Sequence, residues 1–204
     1  MRLALFGGTF DPIHRGHLAL AAAAASRFHL DRVLIAPTGR QPLKSEPIAT
    51  FEQRLAMVTL ACVADERFSP SSIDAPHPDG TPNYTVDTLQ TLTTLYPDAT
   101  LYTLSGADSF HSLAHWRSPQ LLLTLTDWIV VSRPNYPLAD PKNLPLSPAQ
   151  RARIHLLDDL HDPISATALR ARLATGDPCN DLLPPNIPAY IHQHHLYTAG
   201  HARP

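Results

Sequence analysis

Short apolar runs alternate along the chain with longer stretches whose apolar residues recur every three or four positions. RLALF (2–6) reads as a strand and HLALAAAAASRFHL (17–30) as an alanine-rich helix. RVLIAP (32–37) predicts a second strand, stopped by Pro37 and Gly39. FEQRLAMVTLACV (51–63) and TVDTLQTLTTLY (85–96) carry helical spacing, while TLYTLSG (100–106) and DWIVVSRP (127–134) predict a third and a fourth strand. RIHLL (153–157) is a candidate last strand. SATALRARLATG (165–176) reads as a helix with Ser165 as its cap and Gly176 as its stop, and IPAYIHQHHLYT as a final helix. This alternation predicts an α/β protein with a doubly wound parallel sheet. The strands lack a clean polar alternation, as expected of a sheet covered on both faces. The proline-dense RPNYPLADPKNLPLSPAQ reads as a surface excursion. One domain over 1–204 is expected, with residues 160–204 forming a small C-terminal helical part.

Composition changes this picture little. The 204 residues are 44% hydrophobic and 17% charged, enough for a real core. A net charge of −2 offers no global basic field, so nucleic acid is not an expected partner and any anion binding must be local. Two distant cysteines, Cys62 and Cys179, fit a reducing compartment. The LALF run meets Gly7, Gly8 and Asp11 too soon for a signal peptide, and no apolar stretch reaches membrane length. A cytoplasmic, soluble chain is the expectation.

The chemistry concentrates in GGTFDPIHRGH, Gly7 to His17, directly after the first strand. In open α/β sheets ligands bind beyond the carboxyl ends of the strands. Gly7 and Gly8 are expected to let the backbone turn tightly and approach a ligand. A helix starting near Gly16 and His17 would point free N–H groups and a partial positive charge at the same spot, with His14 and His17 as donors to an anion. Neither a dinucleotide-binding glycine pattern nor a GK[ST] loop is present. A capped helix with incidental histidines, or a metal pair, are the alternatives.

GTFDPIHRGH resembles the G-T-F-D-P-x-H-x-G-H signature of the nucleotidyltransferase superfamily. Ile164-Ser165-Ala166-Thr167-Ala168-Leu169-Arg170 resembles its I-S-[SA]-T-x-[IL]-R motif. The resemblance implies a Rossmann-like nucleotidyltransferase fold and transfer of a nucleotidyl group to an acceptor. It implies an ATP site of Gly7, Gly8, Thr9, Phe10, His14, His17, Lys44, Ile164, Ser165, Thr167 and Arg170. Ser165 alone would be only a helix cap.

Further stretches resemble bacterial nicotinate-mononucleotide adenylyltransferases: Asn83-Tyr84-Thr85, Ser105-Gly106-Ala107-Asp108-Ser109, Trp116, the run from Val130 to Pro137, and the tail Asp181-Leu182-Leu183-Pro184. That resemblance implies nicotinate mononucleotide and ATP as partners, nicotinate adenine dinucleotide and pyrophosphate as products, and a place in NAD synthesis. Asp11, Thr85, Asp108, Trp116 and Arg133 are then the expected substrate-binding residues. Trp116 would stack on the pyridine, or else serve as a core tryptophan; Asp108 would hold ribose hydroxyls, or else cap a helix. One departure stands out: the family's Pro-His-Lys is Pro42-Leu43-Lys44 here, with Arg40 as a candidate substitute.

The expected mechanism needs no general base, because a phosphate monoester is mostly dianionic at neutral pH. His14, His17, Lys44 and Arg170 are the expected catalytic group. Mg2+ is expected to come with ATP, and no metal ligand in the protein is anticipated. The alternatives are an adenylyltransferase acting on nicotinamide mononucleotide or phosphopantetheine, or an inactive nucleotide-binding module. Homo-oligomerisation is left open.

Overall fold

The computed structural model describes residues 1–42, 46–131, 145–158 and 164–199. In chain order they form β1 (Arg2–Gly8), α1 (Arg15–Arg27), β2 (Arg32–Pro37), α2 (Phe51–Cys62), β3 (Phe68–Pro70), α3 (Thr85–Leu95), β4 (Thr100–Gly106) and α4 (Ala107–His111). There follow α5 (Pro119–Leu125), β5 (Asp127–Val131), α6 (Pro148–Arg151), β6 (Ile154–Leu157), α7 (Ala166–Ala174) and α8 (Ile187–Gln193). The predicted continuation of β5 to residue 134, and most of the proline-dense segment, lie outside the described residues.

The six strands form one parallel sheet in the order β3-β2-β1-β4-β5-β6. The chain winds outward from β1 on one side and from β4 on the other. The order therefore reverses between β1 and β4, which opens a crevice at their carboxyl ends. Side chains alternate between the two faces of each strand. Ala4, Phe6, Val33, Ile35, Leu104 and Ile129 pack with α1, α2 and the C-terminal helices. Leu3, Leu5, Leu34, Leu101, Trp128 and Val130 pack with α3, α4 and α5. Both faces being covered explains the unbroken apolar runs.

Local chemistry sets the boundaries. A capping box opens α2: Gln53 N–H donates to Thr50 Oγ1 at 3.3 Å, and Thr50 N–H to Gln53 Oε1 at 2.9 Å. Helix α1 starts earlier and stops earlier than its sequence pattern predicts, because His29 turns left-handed (φ 49) and sends Leu30 into the core. The final helix likewise ends at Gln193, since His195 and Tyr197 have φ values of 52 and 59 and turn Leu196 and Tyr197 inward. Three-residue β3 and the short α4, α5 and α6 were not predicted. Among the described residues, no helix is long and apolar enough to cross a membrane.

Candidate active site

Both glycines after the first apolar run belong to β1, paired in register with Ala36 and Pro37 of β2. This corrects the expectation that they form the turn. The left-handed residue is Phe10, with φ 47. Its ring lies over Gly8, where a Cβ would come within 2.8 Å of it, whereas a Cβ on Gly7 would meet only open space. Gly8 thus makes room for Phe10, and Gly7 leaves the strand end open. Phe10 itself is buried, edge-on to Phe6 at 5.2 Å and to His17 at 5.0 Å, so it supports the site from below.

His14 precedes α1 and His17 lies in its first turn. The main-chain N–H of His14 donates to His17 Nδ1 at 3.2 Å, and the two rings stack with centroids 3.6 Å apart. A backbone N–H can only donate, so Nδ1 is an acceptor and the proton of the neutral ring sits on Nε2. Burial, and then the charge of His14, push the His17 pKa well below its ordinary value. The ring is a neutral Nε2–H donor at neutral pH.

The second motif meets the first in space. Ser165 caps α7 through a long 3.5 Å bond from Ala168 N–H and remains exposed, as does Thr167. Arg170 donates through Nη1 to the carbonyl of Asp11 at 2.8 Å and through Nη2 to Thr167 Oγ1 at 3.3 Å. The body of α7 is thereby tied to the turn that leads into α1. Ile164 leads into α7 half-buried.

Asp11 is a fastening point. Its carboxylate accepts from Ile48 N–H (2.8 Å), Ala49 N–H (3.1 Å) and the Tyr197 hydroxyl (2.7 Å), and the residue is buried. Those bonds fasten the loop before α2 and the C-terminal segment. The tail is held again at Arg15, whose N–H donates to Leu182 O at 2.9 Å and whose Nε donates to Leu183 O at 2.9 Å.

On the other face of the sheet, Thr85 is the first residue of α3 and half-buried, and no side chain caps that helix start. Asn83 stitches the approach to it: Oδ1 accepts from Arg40 N–H at 3.0 Å, and Nδ2 donates to Ala75 O at 2.8 Å. Gly39 is required there, because a Cβ would lie 2.4 Å from Asn83 Oδ1. Trp116 is half-buried, 6.2 Å from Trp128, and donates from Nε1 to Ser112 Oγ at 3.1 Å. Beside it, Arg117 stacks over the Tyr84 ring at 4.7 Å, which brings the Trp116 and Thr85 segments together. Asp108 is exposed in the first turn of α4, just past the carboxyl end of β4. Lys44, Leu43 and Arg133 lie outside the described residues.

A cavity of about 640 Å3 opens between the loops after β1 and β2 and the segment 76–82. Thr9 is its link to the first motif; His14 and His17 are not in its walls. Arg40, one of its lining residues, is fixed by Nη1 donating to Gly80 O at 2.6 Å. Arg54 also lines it and was missed in the sequence. This guanidinium is 2% exposed, donates from Nη1 to Thr9 O at 2.8 Å and from Nε to Ala49 O at 3.3 Å, and has its pKa lowered by burial. A signal existed: Arg54, Met57, Val58 and Ala61 fall at i, i+3, i+4 and i+7, a charge on a buried stripe. Among the described residues no cluster of His, Cys, Asp or Glu has the arrangement of a metal site.

The cytidylyltransferase-like family model matches residues 5–172. A Streptomyces coelicolor protein described as a probable nicotinate-nucleotide adenylyltransferase is 41% identical over 192 residues, spanning 94% of this chain and 98% of its own. A Roseiflexus protein of the same description is 42% identical over 196 residues, spanning 96% of this chain and 97% of its own. Among solved structures, Plasmodium falciparum nicotinic acid mononucleotide adenylyltransferase complexed with NaAD superposes with a TM-score of 0.73. It covers 96% of this chain and 97% of that one at 18% identity, a likeness of fold.

Proposed function

The chain belongs to the cytidylyltransferase-like family, among the nicotinate-nucleotide adenylyltransferases, and on that footing we propose that it transfers AMP from ATP to nicotinate mononucleotide. The products are nicotinate adenine dinucleotide and pyrophosphate. One observation carries the reading: Arg170 of α7 donates to the carbonyl of Asp11, three residues before the His14 that precedes α1, so the two motifs meet in space. Such an array suits a triphosphate.

The acceptor phosphate is mostly a dianion at neutral pH, its second pKa being about 6, and attacks without a general base. A bond forms between an acceptor oxygen and the α-phosphorus as the bond to the β-phosphate oxygen breaks, and pyrophosphate leaves. The barrier is two approaching anions and charge growing on the transferred and leaving groups. His17 donates from Nε2 toward the α-phosphate, with His14 beside it. Arg170, already in a planar fork with Asp11 O and Thr167, balances the β- and γ-phosphates together with Lys44. Mg2+ would come with ATP as part of that substrate and would supply further charge compensation on the triphosphate. Thr85 and the first-turn amides of α3 take the nicotinate carboxylate, Trp116 the pyridine ring, and Asp108 the ribose.

Cytoplasmic placement goes with this reading, both cysteines being unpaired and buried. So does a single domain, supported by the bonds from Tyr197 to Asp11 and from Arg15 to the tail. The test is pyrophosphate release with ATP and each of nicotinate mononucleotide, nicotinamide mononucleotide and phosphopantetheine. Nicotinate mononucleotide should be strongly preferred. Equal turnover with the nicotinamide compound overturns the substrate assignment, and no turnover with any of them overturns the activity.

A further inference from the structure

Arg54 is a buried cation without a counter-charge of its own. No carboxylate among the described residues forms an ion pair with it. Asp11, Glu52 and Asp74 are near enough to act on its charge, yet none forms an ion pair with it, and the Asp11 oxygens already accept from Ile48, Ala49 and Tyr197. Two of the five guanidinium N–H groups are used, on the carbonyls of Thr9 and Ala49. Nη2 donates to no atom of the described residues, and the side chain lines the 640 Å3 cavity. A guanidinium taken out of water is costly unless an anion meets it. Arg40 and His77 line the same cavity, with Glu46 as its one carboxylate among the lining residues.

We infer that Arg54 is a substrate-binding residue, whose free Nη2 donors hold the phosphate group of the acceptor in this cavity. The cavity touches the first motif at Thr9, beside the end of β1, and His14, His17 and Arg170 are not in its walls. Through the same guanidinium, the phosphate is referenced to the Thr9 carbonyl and thus to the strand end where transfer takes place. Naming the acceptor rests on the proposed function; the anion site itself does not.

Inorganic phosphate is the probe. It should raise the melting temperature of the wild-type protein, compete with nicotinate mononucleotide and leave KM for ATP unchanged. Arg54→Met should abolish the stabilisation by phosphate. It should also raise KM for nicotinate mononucleotide about ten- to a hundredfold, the loss expected of a charged hydrogen bond, with KM for ATP within about twofold. Should that variant fail to fold, the wild-type protein still decides: the Arg54 Nε–H signal, assigned with Arg54→Lys, must shift when phosphate is added. An unmoved signal, a phosphate response that survives Arg54→Met, or a rise in KM for ATP in place of the acceptor shows a mere tie between Thr9 and Ala49 and overturns the inference. Loss of the phosphate response in Arg54→Met, in a protein that makes no dinucleotide, sinks the substrate reading and leaves the anion site standing.

Discussion

Arg170 donates to the carbonyl oxygen of Asp11 at 2.8 Å across a separation of 159 residues, and this bond ties α7 to the turn that leads into α1. The same guanidinium reaches Thr167, which an ammonium cannot do in the same planar geometry. Arg170→Lys should therefore lower kcat/KM for ATP about tenfold, and Arg170→Met about a hundredfold. Steady-state kinetics with ATP varied at saturating acceptor makes the comparison. Lysine matching arginine would show that charge alone matters there.

His17 is held as an Nε2–H donor by the bond it accepts from His14. His17→Ala removes a donor to transition-state charge, so kcat should fall about a hundredfold while ATP binding weakens far less. Single-turnover rates alongside a direct ATP titration separate the two effects. A rate within a few-fold of wild type removes His17 from the mechanism.

The depressed pKa of His17 also has a stability consequence. The unfolded imidazole takes up a proton near pH 6.5 while the folded one stays neutral, so below that pH the unfolded state binds more protons. This contribution is complete above about pH 6.5 and is lost as pH falls toward the folded-state value. Urea unfolding at pH 7.5 and 5.5 should show a smaller acid-induced loss for His17→Asn than for wild type. Equal losses would mean other groups carry the effect.

Tyr197→Phe removes one of the two donors to Asp11 Oδ1 in a buried setting and leaves Ala49 N–H as the other. A cost of about 1–3 kcal/mol is expected, read as a lower urea midpoint with an unchanged slope. Little change in stability would mean that water replaces the hydroxyl.

Thr85→Val keeps shape and deletes the hydroxyl at the start of α3. KM for nicotinate mononucleotide should rise about tenfold while KM for ATP holds. Trp116→Phe should raise the same constant modestly, because it keeps packing against Trp128 and loses the bond to Ser112. Parallel rises for both substrates would place these residues in the core.

Strands β1, β2 and β4 and helices α2 and α3 were legible because each carries a run or stripe long enough to stand out, such as RVLIAP and FEQRLAMVTLAC. Phe68–Pro70 is too short for any periodicity, and α4 has five residues shaped by its place after β4. The two motifs could be read as one site, and the structure brings them together through Arg170 and Asp11, but the packing around each residue was not legible. Gly8 looked like a turn residue because its sequence neighbours do not reveal that the Phe10 ring folds back over it. The fastening role of Asp11 was hidden because its partners, Ile48, Ala49 and Tyr197, are brought to it only by the fold.

The bond from Tyr197 to Asp11 has a consequence for the order of events during synthesis. The segment from Asp11 to His17 is synthesised before β2 and β4, and the tyrosine that fastens Asp11 follows it by 186 residues. A growing chain thus carries Asp11 well before the hydroxyl that latches it. A ribosome stalled before residue 197 would hold a sheet in which Asp11 lacks that latch.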